Sequence, residues 1–105
     1  MKTYKQKDIN DNFKNIVNIA KQKWIQICKD NLEKYGDEGS CVIGAAIKIL
    51  FIPKGCRKSR YSTIISSDEV SQCQGSLNWE RGVEEIIQYL KENNIDSIYS
   101  YGRID

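Results

Sequence analysis

Residues Lys54 to Arg60, reading Lys-Gly-Cys-Arg-Lys-Ser-Arg, put four cations into seven positions between two apolar segments. Charges at that density beside a glycine project into solvent together. They favour an anionic partner such as a phosphate, a nucleotide, a nucleic acid or an acidic protein surface. Arg57 and Arg60 add geometry to charge, because a guanidinium fork grips a phosphate bidentately, which mere solubility of a loop tip does not require. Lys54 and Lys58 contribute point charges. The plainer reading is that lysine and arginine at a hairpin tip keep its strands from pairing with other chains.

Other residues extend this chemistry. Gly75-Ser76-Leu77-Asn78-Trp79 opens a predicted helix, whose unpaired backbone N–H groups and positive dipole end suit a phosphate. Ser76 or Asn78 would otherwise simply cap that helix. Arg103, on a tyrosine-bearing segment near the C-terminus, supplies a third guanidinium. Tyr61, Trp79 and Tyr101 offer rings on which a base can stack. Together Lys54, Arg57, Lys58, Arg60, Tyr61, Ser76, Asn78, Trp79, Tyr101 and Arg103 form the expected ligand-binding set, provided that the helix start and the last strand meet the basic turn.

Catalysis is disfavoured. The chain has no histidine, which removes Ser-His-Asp and Cys-His nucleophile systems, histidine general bases and every histidine-containing zinc site. Cys56 lies among cations that stabilise a thiolate and raise its reactivity. A catalytic thiol also needs an orienting base and an oxyanion site, and the sequence displays neither. Cys28, Cys41, Cys56 and Cys73 are each at least a dozen residues apart, unlike the closely spaced ligand pairs of structural zinc sites. The carboxylate pairs Asp37-Glu38, Asp68-Glu69 and Glu84-Glu85 have no third ligand at useful spacing, so they read as solvated surface. No cofactor and no metal is expected.

The elements that must position these groups are legible in part. Ile9, Phe13, Ile16, Val17, Ala20, Trp24, Ile27, Cys28, Leu32 and Tyr35 recur at three- and four-residue steps, which predicts a long helix with one apolar face. Asp8 or Asn10 caps its start and Gly36 ends it. Cys41 to Ile52 is dense in β-branched residues between Gly39 and Pro53, which argues for a strand buried on both faces. Arg60 to Ser66 alternates well enough to pair with it as a hairpin, making the basic stretch the hairpin loop. Val70 to Cys73 reads as a short edge strand or a loop. A second helix begins near Asn78, with Trp79, Val83, Ile86, Ile87 and Leu90 inward, and Ile95 to Arg103 is a final strand.

This order, α-β-β-(β)-α-β, predicts an α+β fold in two layers. Both helices pack on one face of a three- to four-stranded antiparallel or mixed sheet. The other face is left for a partner or for self-association, with Tyr61, Thr63, Tyr99 and Tyr101 as its candidate residues.

One domain accounts for all 105 residues. With 40% hydrophobic and 29% charged residues, the composition is that of a folded chain. A net charge of only +2 makes the basic turn a local feature of the chain. Met1 to Asn10 is polar, lysine-rich and lacks the apolar core of a signal peptide, and the longest apolar run is too short to span a bilayer. A cytoplasmic protein with no membrane partner is expected, and its small core favours a homo-oligomer. In size, composition and lack of catalytic signatures, the chain resembles small phage-encoded counter-defence proteins, a group that includes anti-CRISPR inhibitors and sponges for signalling nucleotides. The resemblance implies either sequestration of a nucleotide or blockade of a host complex, and it assigns no residue a role. The expectation is therefore a non-enzymatic protein that sequesters an anionic ligand, foremost a nucleotide or phosphate-bearing small molecule. The alternative is an inhibitor or adaptor that docks on a nucleic acid or protein complex through residues 54–60.

Overall fold

The computed structural model describes residues 1–36, 39, 42–71 and 76–103, with only the backbone described for Val42, Ile43, Ser76, Asn78, Gly102 and Arg103. The order is β1 (Thr3–Tyr4), α1 (Asp11–Tyr35), β2 (Val42–Phe51), β3 (Arg60–Ser66), α2 (Ser76–Glu80), α3 (Val83–Glu92) and β4 (Ile98–Arg103). Single 3-10 turns lie at Gln6–Asp8 and Ser67–Glu69. The fold is α+β, with the helices packed on a mixed four-stranded sheet.

The long helix forms where its apolar periodicity requires. Asn10 is its N-cap, the side chain accepting the Phe13 N–H at 2.9 Å, which satisfies one of the amides a helix start leaves open. Phe13, Ala20, Trp24 and Cys28 are the buried stripe. It meets Ala45, Ile47 and Ile49 of β2, Ile65 of β3, and Trp79, Val83, Ile86 and Leu90 of α2 and α3 in one core.

The centre of the sheet is β2. It pairs antiparallel with β3 from Ala46–Ser66 to Phe51–Arg60, and antiparallel with β4 from Val42–Arg103 to Lys48–Ile98. On the same side as β4, but at the other end, β1 pairs parallel through Thr3–Leu50 and Tyr4–Phe51. The fourth strand is thus the N-terminal one, absent from the sequence-based scheme. At the expected edge strand, Val70 follows the 3-10 turn in a turn of its own, and residues 72–73 lie outside those described.

Two further expectations are corrected. Strand β2 is not buried on both faces: Lys48 and Leu50 are half-buried on the side that no described helix covers. The second helix is two helices, because Gly82 adopts φ +96 between α2 and α3. That break lets Trp79 fold onto Trp24, edge to face at 6.0 Å, while α3 runs along α1.

Tyr4 fastens the N-terminal strand. It is 3% exposed and sits edge-on to Phe13 with ring centroids 5.8 Å apart. Its hydroxyl accepts the Asp96 N–H at 2.7 Å and donates to the Asn94 carbonyl at 3.1 Å. Tyr4→Phe strands both backbone groups and is expected to destabilise the protein by about 1–3 kcal/mol, read from the urea midpoint at constant m.

Candidate anion-binding site

The basic stretch is the β2–β3 hairpin loop. Its tight turn closes with the Cys56 N–H donating to the Pro53 carbonyl at 3.0 Å. Gly55 stands at φ +81, the positive value that the third position of a type II turn demands. Every residue from Lys54 to Arg60 is exposed, so the loop carries its four cations outward.

Their neighbours come from a distant part of the chain. The parallel β1–β2 register is prolonged by the Ile52 N–H donating to the Tyr4 carbonyl at 2.8 Å. That bond lays the Gln6–Asp8 turn against the hairpin loop. A hollow of about 260 Å³ results, lined by Lys5, Gln6, Lys7, Ile52, Pro53, Lys54, Gly55 and Cys56. Lys5 and Lys7 thereby join Lys54, Arg57, Lys58 and Arg60 at one end of the molecule. The carboxylate in this region, Asp8, accepts the Lys5 N–H at 2.8 Å and so serves the turn that holds the two lysines. No local signal announced this pairing, since Thr3-Tyr4 is too short to read as a strand.

The rest of the expected set lies elsewhere. Tyr61 is close to the loop, next to Arg60 and 55% exposed. Trp79 is only 2% exposed within the core, where no base can reach its face. Tyr101 is half-buried against Tyr99, their centroids 5.5 Å apart, and Tyr99 is edge-on to Trp24 at 6.2 Å. Both tyrosines therefore turn towards the helices instead of the open sheet face, while Tyr61 and Thr63 are exposed. Arg103 pairs with Val42, at the far end of β2 from Phe51 and the basic loop. Nine residue steps of strand separate those ends, roughly 30 Å. Ser76 and Asn78 begin a five-residue α2 beside the buried Trp79. Antiparallel pairing of β4 with the first half of β2 is what sends the last strand away from the turn.

The thiols divide in the same way. Cys28 is buried on α1 and Cys56 is exposed in the loop, whereas Cys41 and Cys73 lie outside the described residues. Among the described residues no cluster of cysteine and carboxylate is placed to hold a metal ion, and no helix is long and apolar enough to cross a membrane.

Tyr99 is a perturbed titratable group. Burial, and then the charge of Glu80, push its hydroxyl well above the ordinary tyrosine range. The hydroxyl is buried without a hydrogen-bond partner among the described residues. Because the folded state favours the neutral phenol, its contribution is fully present below the ordinary value of about 10 and is lost as the pH climbs above it. Tyr99→Phe is expected to flatten that alkaline decline while leaving neutral-pH stability equal or higher, as urea midpoints across the alkaline range will show.

Comparison with protein-family models, with curated proteins and with solved structures finds no match to this chain.

Proposed function

We propose that this protein is a non-enzymatic binding protein that docks through its basic end on a polyanion, foremost the phosphate backbone of a nucleic acid. The observation that carries the reading is the gathering of Lys5, Lys7 and Lys54 around one hollow beside Arg57, Lys58 and Arg60. Six cations drawn from two separate segments make an electrostatic footprint on a chain whose net charge is only +2.

The same geometry favours an extended anion over a single nucleotide. A nucleotide pocket needs a ring or apolar slot for the base beside the phosphate grip. Trp79 and Tyr101 are turned into the core, which leaves Tyr61 as the ring near the loop. Phosphate contacts give affinity and register without a base pocket. Acting by occupancy, such a protein would block its partner's surface, as do the counter-defence inhibitors it resembles.

The test is a titration of a fluorescein-labelled oligonucleotide at several salt concentrations. Six phosphate contacts set a limiting slope of log K against log salt of about −5 for duplex and about −4 for single strands. A flat salt dependence would sink the polyanion reading. A saturable rise in melting temperature with one mononucleotide, matched by no oligonucleotide binding, would restore the pocket.

A further inference from the structure

A second feature lies away from the hairpin loop. Between the first half of α1 and strand β3 runs a groove of about 340 Å³. Ile9, Phe13, Val17 and Ile64 give it an apolar floor, Lys14 and Lys21 stand along its helical rim, and Glu69, just past the end of β3, also lines it. Those lysines are seven residues apart in α1, hence on one side of the helix and separated by about 10 Å.

The groove borders an unpaired strand edge. In the sheet, β3 is terminal, hydrogen-bonded to β2 and, among the described residues, to no other strand. An edge strand turns the N–H and C=O groups of alternate residues outward, which makes it a template for a further strand. The register with β2 shifts by one residue at Ile64, a bulge of the kind that re-aims side chains beside binding sites. Backbone donors and acceptors, an apolar floor and a cationic rim thus share one cleft.

We propose that this groove takes an extended segment of a partner protein, which adds as a strand to the β3 edge with an apolar side chain between two acidic ones at alternate positions. In an added strand every second side chain faces the helix, at a spacing of about 7 Å. A central apolar side chain meets the floor, and the acidic ones on either side lie within reach of the two long lysines. Main-chain bonds supply affinity and the alternating side chains supply specificity, as in other strand-addition sites. The two rim lysines outweigh Glu69 in the lining, which favours an acidic segment over a basic one. This site is separate from the basic hairpin loop, so either can fail without the other.

The test uses the intact protein and the capped, fluorescein-labelled peptide Thr-Glu-Thr-Val-Thr-Glu-Thr. Saturable binding is expected, with slowed amide exchange confined to β3. The Lys14→Glu/Lys21→Glu variant, whose changes lie at the helix surface, should melt as the parent does and bind about tenfold more weakly or worse. It should in turn gain affinity for the charge-swapped peptide Thr-Lys-Thr-Val-Thr-Lys-Thr. Absence of binding, absence of β3 protection, or indifference to the charge swap overturns the proposal. So does loss of peptide binding on neutralising Arg57 and Arg60, which would assign it to the hairpin loop. A concentration-dependent dimer in sedimentation that the Lys14→Glu/Lys21→Glu variant abolishes would give the groove to a second copy of the chain, and overturn it too.

Discussion

Replacing Lys54, Arg57, Lys58 and Arg60 together by glutamine is expected to weaken oligonucleotide binding by on the order of a thousandfold at about 0.1 M salt, with the melting temperature unchanged. The magnitude follows from counterion release. Each phosphate contact contributes close to one unit of salt slope, hence nearly a decade of affinity at that salt concentration. Stability should hold because all four side chains are exposed in a turn whose geometry depends on Pro53 and Gly55. The sharper arm is Lys5→Gln with Lys7→Gln. These two lysines are distant from the loop in sequence and reach it through the β1–β2 register. If they share one phosphate-binding surface with it, their loss reduces the slope by about a further two units. A slope that ignores them would mean that the hairpin loop acts alone. Tyr4→Phe, which loosens the anchor of that strand, should move the slope in the same direction by less.

Gly82→Ala is expected to remove about 2–5 kcal/mol of stability, a large share of what a domain this size possesses. Two terms add. At φ +96 any side chain is strained, by about 1–2 kcal/mol. The new Cβ would also fall on Ile27 Cγ2, with Ile27 Cδ1 and Cβ close behind. Ile27 is β-branched and in mid-helix, so its χ1 is nearly locked and cannot swing aside. Overpacking of that kind costs about 1–3 kcal/mol. Urea unfolding of Gly82→Ala, Ile27→Ala and the double variant separates the terms. The double variant should be more stable than the sum of the single effects predicts, the difference being the relieved clash. Additivity within error would show that the close approach does not matter and that backbone strain acts alone.

How much of this was legible depends on the distance over which each signal acts. The α1 stripe from Phe13 to Cys28, its Asn10 cap and the β2–β3 hairpin all rest on residues within a few positions of each other, and they stand where the sequence places them. The faces of β4 were not legible. Ile98-Tyr99-Ser100-Tyr101 alternates with either parity facing inward, and a one-residue change of register exchanges the faces. Trp24 decides it, by taking Tyr99 against its edge. The break at Gly82 was written as one glycine within an apolar helical pattern. Only the approach of Ile27 shows why no other residue fits there.

The candidate site divides along the same line. The sequence by itself determined that four cations sit on an exposed hairpin loop and that no histidine chemistry accompanies them, because turn formation and composition are local properties. Tertiary structure alone decided which residues keep those cations company. The parallel pairing of Tyr4 with Phe51 brings Lys5 and Lys7 to the loop, and the antiparallel pairing of Arg103 with Val42 carries the last strand away from it. Both registers join segments nearly half the chain apart or more. They are set by burial of Tyr4, Trp24 and Tyr99 in a shared core, which no stretch of sequence displays on its own.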